Sequence, residues 1–121
     1  MRALVLLKRF LKDKTARNAW LESKDLRVYV RKSRRLLNTY ALHDCLDIAT
    51  LEITESKQRK GLGSGFIRQA PELNPYEYTY LENVLNPGFL KHLTNAGWFP
   101  VNTESLDTCL YRPVMKNQSR A

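Results

Sequence analysis

Three of the chain's five glycines fall in the stretch TLEITESKQRKGLGSGFI, residues 50–67. Gly61, Gly63 and Gly65 follow Arg59 and Lys60, after an alternating apolar run and before further apolar residues. Where a strand hands over to a helix, the first helical N–H groups lack carbonyl partners inside the helix and point out of its end. The helix dipole adds positive potential there, and glycines let a ligand approach the backbone closely. Such a turn suits a pyrophosphate. The same residues also read as a plain basic strand-to-helix turn, and residue types alone leave both readings open. Two familiar phosphate loops are excluded. A P-loop needs Lys and then Ser or Thr after its last glycine, whereas Lys60 precedes Gly61. The dinucleotide fingerprint GxGxxG would need glycine where Phe66 stands.

The elements that must carry this turn follow from local patterning. CLDIATLEIT, Cys45 to Thr54, alternates and is rich in β-branched residues, so a strand is expected there. Gly61 to Ala70 reads as a helix ended by Pro71, with a loop over 71–75. Tyr76 to Asn83 alternates aromatic and polar residues, a further strand. Phe89 to Ala96 is a short helix with Gly97 placed to cap it. Trp98 to Val101 and Leu106 to Pro113 read as two more strands joined by the polar NTES. Upstream, Ala3 to Leu21 favours helix, with Leu4, Leu7 and Leu11 at helical spacing. Asp13 to Thr15 can divide it, with Ala16, Ala19 and Trp20 opening a second apolar stripe. Leu26 to Val30 and Leu36 to Leu42 read as a hairpin about a polar turn, Lys32 to Arg35. Strands joined through helices run parallel and those joined by short turns antiparallel, so a mixed sheet is expected.

LEITESKQRKGLG resembles the acetyl-CoA motif of the GNAT superfamily, the Gcn5-related N-acetyltransferases. That pattern is an apolar pair with one residue between, four more residues, then [Q/R]-x-x-G-x-[G/A]. Leu51 and Ile53 are the pair; Gln58, Gly61 and Gly63 are the signature positions. A second signature of the family, Asn, an apolar helix and then Gly-aromatic, is matched by NPGFLKHLTNAGW, with Asn86, Gly97 and Trp98. The resemblance covers residues 26–114. It implies an α/β (α+β layered) fold: a mixed, mostly antiparallel central sheet with a splayed parallel strand pair and helices on both faces. It also implies acetyl-CoA as cofactor. The pantetheine arm would enter the splay against the backbone of Leu51, Glu52 and Ile53. Amides of the turn Gln58, Arg59, Lys60, Gly61, Leu62, Gly63 and Ser64 would hold the pyrophosphate, and Asn86 would touch the cofactor arm.

Acetyl transfer to an amine needs a positioned neutral amine, a base for its proton and donors near the carbonyl. Asp47 lies six residues before Ile53, where some protein-lysine acetyltransferases of the family carry a glutamate, so it is one candidate base, acting through a water. Glu82, near the end of the next strand, is the other. Glu52 alternates to the face opposite Leu51 and Ile53 and reads as solvated or paired. The usual family acid, a tyrosine seven residues after the Asn, is here Leu93. His92, Tyr80 and Tyr111 are the substitutes to consider. His92 would point elsewhere on a helix, since neighbours there lie about 100° apart. Cys45, Cys109, Trp20 and Trp98 read as core residues. Asn86 before Pro87 also fits a helix N-cap.

Composition sets the outer bounds. At 121 residues, with 43% apolar and 26% charged residues, the chain reads as one domain over 1–121. Within it, 1–24 would be a basic helical start, 26–114 the core and 115–121 a flexible tail. Two cysteines and two histidines match no metal or disulfide framework and suggest reduced thiols in a cytoplasmic protein. No apolar run approaches the roughly 18 residues of a membrane span, so no membrane partner is expected. Residues 1–35 carry 12 Lys or Arg against 3 Asp or Glu; residues 36–121 carry 8 against 9. The basic first third could steer a nucleic acid or an acidic protein face. Two functions follow: an N-acetyltransferase acting on a primary amine, such as a protein lysine or N-terminus or another macromolecular amine, by direct transfer in a ternary complex; or a catalytically weak or inactive basic module of the same fold that binds nucleic acid or a protein partner.

Overall fold

The computed structural model describes residues 1–38, 40–54, 61–84, 87–101 and 109–114. Its elements, in chain order, are α1 Arg2–Lys12, β1 Asn18–Glu22, β2 Leu26–Arg35, β3 His43–Ile53, α2 Leu62–Leu73, β4 Tyr78–Leu81, α3 Pro87–Asn95, β5 Phe99–Pro100 and β6 Leu110–Pro113. The six strands form one sheet in the order β1-β2-β3-β4-β6-β5. Among the described residues, β3 and β4 are the one parallel pair and the other neighbours are antiparallel. The expected mixed, mostly antiparallel sheet is present.

Helix α1 buries Ala3, Leu7 and Phe10, one face at helical spacing. It does not extend towards Leu21. The Asp13 carboxylate accepts hydrogen bonds from the Thr15 and Ala16 amides and the Thr15 hydroxyl, which turns the chain. The second apolar stripe is therefore a strand, β1, paired with β2 from Asn18↔Arg31 to Glu22↔Arg27. The hairpin expected around Lys32 to Arg35 is also different. β2 runs straight through those residues, and the reversal comes afterwards, where Leu37 and Asn38 take φ of 49° and 65°. Among the described residues of 36–42, none is strand. The polar half of β2 is tolerated because Arg31 and Arg35 meet buried carboxylate across the sheet.

β3 matches its expected span closely. α2 continues three residues past Ala70, with Pro71 inside its last turn and buried. A proline there forfeits one helical bond, to the carbonyl four residues back, and its ring packs inward. β4 is shorter than expected because Asn74 organises the turn before it, donating to the Tyr78 carbonyl and the Thr79 hydroxyl and accepting from the Tyr76 amide. α3 ends as anticipated: Gly97, at φ 97°, lets the Trp98 amide reach the Leu93 carbonyl at 3.1 Å. The expected NTES connection and the tail 115–121 lie outside the described residues.

The buried side chains of all three helices join one core cluster with Leu21, Leu26, Val28, Val30, Leu46, Ile48, Leu81, Trp98 and Leu110. The second cluster, Leu37, Cys45 and Tyr80 with Tyr78, Val101, Cys109 and Tyr111 against it, contains no helical residue among those described. Trp98 is core, as expected. Trp20 is not: it is 41% exposed, its ring tilted against Tyr29 and covered by the Arg27 guanidinium.

Candidate functional site

The site begins with a break in the sheet. β3 and β4 pair from Cys45↔Tyr78 to Ile48↔Leu81, and the Glu82 amide closes the pairing on the Ile48 carbonyl at 3.1 Å. Beyond that point β3 continues to Ile53 with β2 as its strand neighbour, while the chain after β4 turns away through Asn83 at φ 57°. At the same place the β2–β3 register slips: Tyr29 pairs with Thr50 and Val30 with Ile48, so Ala49 is an extra residue. A bulge of this kind bends its strand and raises the local twist. It is the local cause of the splay.

A cavity of about 390 Å³ occupies the wedge. Ala49, Thr50, Leu51 and Ile53 line it from β3, Gly61 to Ser64 from the start of α2, and Glu82, Asn83 and Val84 from the other side. Gly61 is the N-cap of α2, in the left-handed region at φ 77°. The first helical bond runs from the Gly65 amide to the Gly61 carbonyl at 2.8 Å. Helix geometry therefore leaves the amides of Leu62, Gly63 and Ser64 outside the helical ladder, at the cavity wall. A Cβ on Gly63 would lie 3.1 Å from Ile53 Cδ1 and 3.2 Å from Leu51 Cδ2. The second glycine of the turn is thus what lets the helix start sit directly on β3.

The expected residues divide clearly. Leu51, Ile53, Gly61, Leu62, Gly63, Ser64 and Glu82 line the cavity. Glu52 does not: its side chain pairs with Arg27 at 3.0 Å and it is absent from the cavity lining. Gln58, Arg59, Lys60 and Asn86 lie outside the described residues. Asp47 is fully buried and sits behind the wall rather than on it. The direct approach of an amine to Asp47 is therefore closed, although Glu82 stands open to the cavity.

Asp47 and Glu82 meet in a network that sequence reading did not assemble. Arg35 Nη2 donates to Asp47 Oδ2 at 2.7 Å and lies 3.7 Å from Glu82. Arg31 donates to Glu82 and lies 3.4 Å from Asp47. Arg35 also covers the Tyr80 ring, 4.0 Å from its centroid. Burial, helped by Glu82, pushes the Asp47 carboxyl up to about 7. Burial pushes Glu82 upward too, but hydrogen bonds from Asp47 and Arg31 carry it below its ordinary value. The guanidiniums were legible only as part of a basic run; pairing across β2 and β3 is what aims them.

None of the expected substitutes for the missing tyrosine lines the cavity. Leu93 is buried in the core. Tyr80 is buried, and burial raises its hydroxyl. Tyr111 packs between Tyr78 and Phe99. His92 stacks with Phe89 and lines a second groove, about 380 Å³, between α2 and α3. That groove shares Gly61, Ser64, Ile67 and Phe89 with the first cavity and adds Arg68 and Arg112. Sequence patterning missed both arginines. Among the described residues, no group of three His, Cys, Asp or Glu could hold a metal ion, and no helix is long and apolar enough to cross a membrane.

The architecture and the splayed pair define a GNAT-like fold. Among solved structures, a point mutant of the AtaT toxin bound to the C-terminus of the antitoxin AtaR is similar at a TM-score of 0.58 and 18% identity. The match covers 74% of this chain and 59% of the toxin's. The same complex with acetyl-CoA matches at 0.58 and 16% identity, over the same shares. Nourseothricin acetyltransferase matches at a TM-score of 0.45 and 14% identity, over 76% of this chain and 67% of its own. The fold statement rests on the toxin structures. No family model matches the sequence, and no curated protein matches it.

Proposed function

We propose that the chain is an acetyl-CoA-dependent N-acetyltransferase acting on a primary amine by direct transfer. One observation carries this reading: a strand edge with no strand alongside among the described residues, a helix start with outward amides and an acidic side chain converge on a single cavity. The fit is good on each count. Main-chain groups of β3 around Leu51 suit the amides of a pantetheine arm. The amides of Leu62 to Ser64 suit a diphosphate, and the adjoining groove, with Arg68, His92 and Arg112, suits a phosphorylated nucleoside end. Gln58, Arg59, Lys60, Gly61 and Asn86 would hold the cofactor as the resemblance implies. Bound acetyl-CoA would supply an activated thioester. Glu82 would hold the incoming ammonium at the wedge and take its proton.

The acceptor is proposed to be macromolecular, a protein lysine or N-terminus, with the basic residues 1–35 drawing an acidic surface towards the site. A second reading, a non-catalytic basic module that binds nucleic acid or a protein, is favoured by one observation, the buried Leu93 where many family members place an acid. Two measurements separate them. The enzyme gains thermal stability with acetyl-CoA and releases free thiol when amine is added. The module shows salt-dependent nucleic-acid affinity and no cofactor stabilisation.

A further inference from the structure

Among the described residues, the buried oxygen Asp47 Oδ1 has no hydrogen-bond partner. An orphaned carboxylate oxygen inside a protein is costly. Protonation of Asp47 would lower that cost by removing the buried charge. Asp47 and Glu82 are held by the same two guanidinium nitrogens: Arg35 Nη2 lies 2.7 Å and 3.7 Å from them, and Arg31 Nη2 contacts both. Two carboxylates gathered on the same nitrogens repel each other, and a proton retained between them relieves that repulsion. The groups facing Asp47 are Arg31 and Arg35 from β2, Tyr80 from β4, Glu82 just after β4, and Cys45 on its own strand. Tyr80 and Cys45 are both pushed up by burial and stay neutral. Among the described residues, the two arginines and Glu82 therefore set the charge around Asp47. Arg31 Nε, Arg35 Nε and Ser33 Oγ are further buried polar atoms without partners nearby.

We propose that Asp47 and Glu82 share one proton as a carboxylic acid–carboxylate dyad, in which Asp47 is a positioning residue and Glu82 is the member that meets the acceptor amine. This rests on the acetyltransferase reading for its catalytic role, not for its existence. The proton balance is simple. The dyad loses its shared proton to solvent as pH rises. The doubly ionised pair then accepts one proton from the acceptor ammonium at Glu82, and that proton settles on Asp47 Oδ1. The amine is left neutral, with its lone pair free to attack the acyl carbon. A lone Glu82 between two arginines would be a far weaker base. The upward push on Asp47, to about 7, agrees with a pair poised near neutrality.

The test is a carboxyl titration followed by ¹³C NMR on the cofactor-free protein, for the wild type, Asp47→Asn and Glu82→Gln. One carboxyl should titrate near neutrality in the wild type. That titration should vanish in Asp47→Asn and move to lower pH in Glu82→Gln. Wild-type carboxyls that all titrate below pH ~5, as ordinary ones do, would overturn the dyad, and this arm needs no variant to fold. With an amine acceptor, the acid limb of kcat should move from about pH 7 in the wild type to below about pH 5 in Asp47→Asn, with kcat at pH 8 lower by about tenfold or more. An unmoved limb would overturn the positioning role. A dyad present in a protein that acetyl-CoA does not stabilise would uphold the pair and sink the acetyltransferase reading instead.

Discussion

Gly61 allows conformational and electrostatic contributions to be separated at one position. It holds φ 77°, yet a Cβ there would meet nothing within 4 Å. Gly61→Ala should therefore cost only the left-handed backbone preference, about 1 kcal/mol, or about 3–5 °C in Tm for a domain of this size. Gly61→Asn should cost about half as much, since asparagine tolerates that region better. Neither should change the response to cofactor much. At a hundredfold excess over Kd, acetyl-CoA should add about 2.7 kcal/mol of stability, roughly 10 °C. Gly61→Glu is different. A carboxylate about 5 Å from a phosphate charge repels it by about 3 kcal/mol at an effective dielectric of 20. That is enough to erase the increment while leaving the fold near that of the alanine variant. The assay is thermal denaturation of the four proteins with and without acetyl-CoA. A glutamate variant that kept the full wild-type increment would refute the placement of the diphosphate on these amides.

Other expectations follow from the packing and the charges. Gly63→Ala should destabilise by about 1–3 kcal/mol through overpacking; Ile53→Val removes the Cδ1 atom that the new Cβ would crowd, so urea unfolding of the double mutant should show less than the sum of the two costs. Asp47, with its pKa raised by burial to about 7, contributes stability that is full below about pH 4 and lost as pH rises through 7; Glu82, lowered, contributes with the opposite sign as pH falls through and below its ordinary value of 4.5. Chemical denaturation at pH 5 and pH 8 should therefore show a flatter dependence for Asp47→Asn than for the wild type, and equal slopes would contradict the burial argument. Leu93→Tyr, which restores the usual family side chain, should lose about 1–3 kcal/mol by forcing a larger ring and a hydroxyl into the core without raising kcat. Higher turnover in that variant would show that the position reaches the cavity after all.

Local pattern was enough to determine the elements nearest the chemistry. β3 alternates over a β-branched run. The glycines mark the turn and the start of α2, and Gly97 marks the end of α3. These are short-range properties of the chain and survive in the folded molecule almost unchanged. The first third was different. Ala19 and Trp20 suited a helix by spacing, and Lys32 to Arg35 looked like a turn by polarity; both are strand because β1 and β3 supply backbone partners on either side of β2. The site shows the same division. The amide cluster was legible because it is built from consecutive residues. The Asp47–Glu82 pair, with Arg31 and Arg35, was not, because it joins β2, β3 and the residue that follows β4. The most consequential feature is a single extra residue. Leu46 and Ile48 face the helices, and so, past Ala49, do Leu51 and Ile53. The bulge switches which members of β3 point inward, so Asp47, which simple alternation would place beside Leu51 and Ile53, turns to the arginines on the opposite face. Strand alternation has a period of two. One inserted residue reverses it, and only pairing with β2 in three dimensions decides where that residue goes.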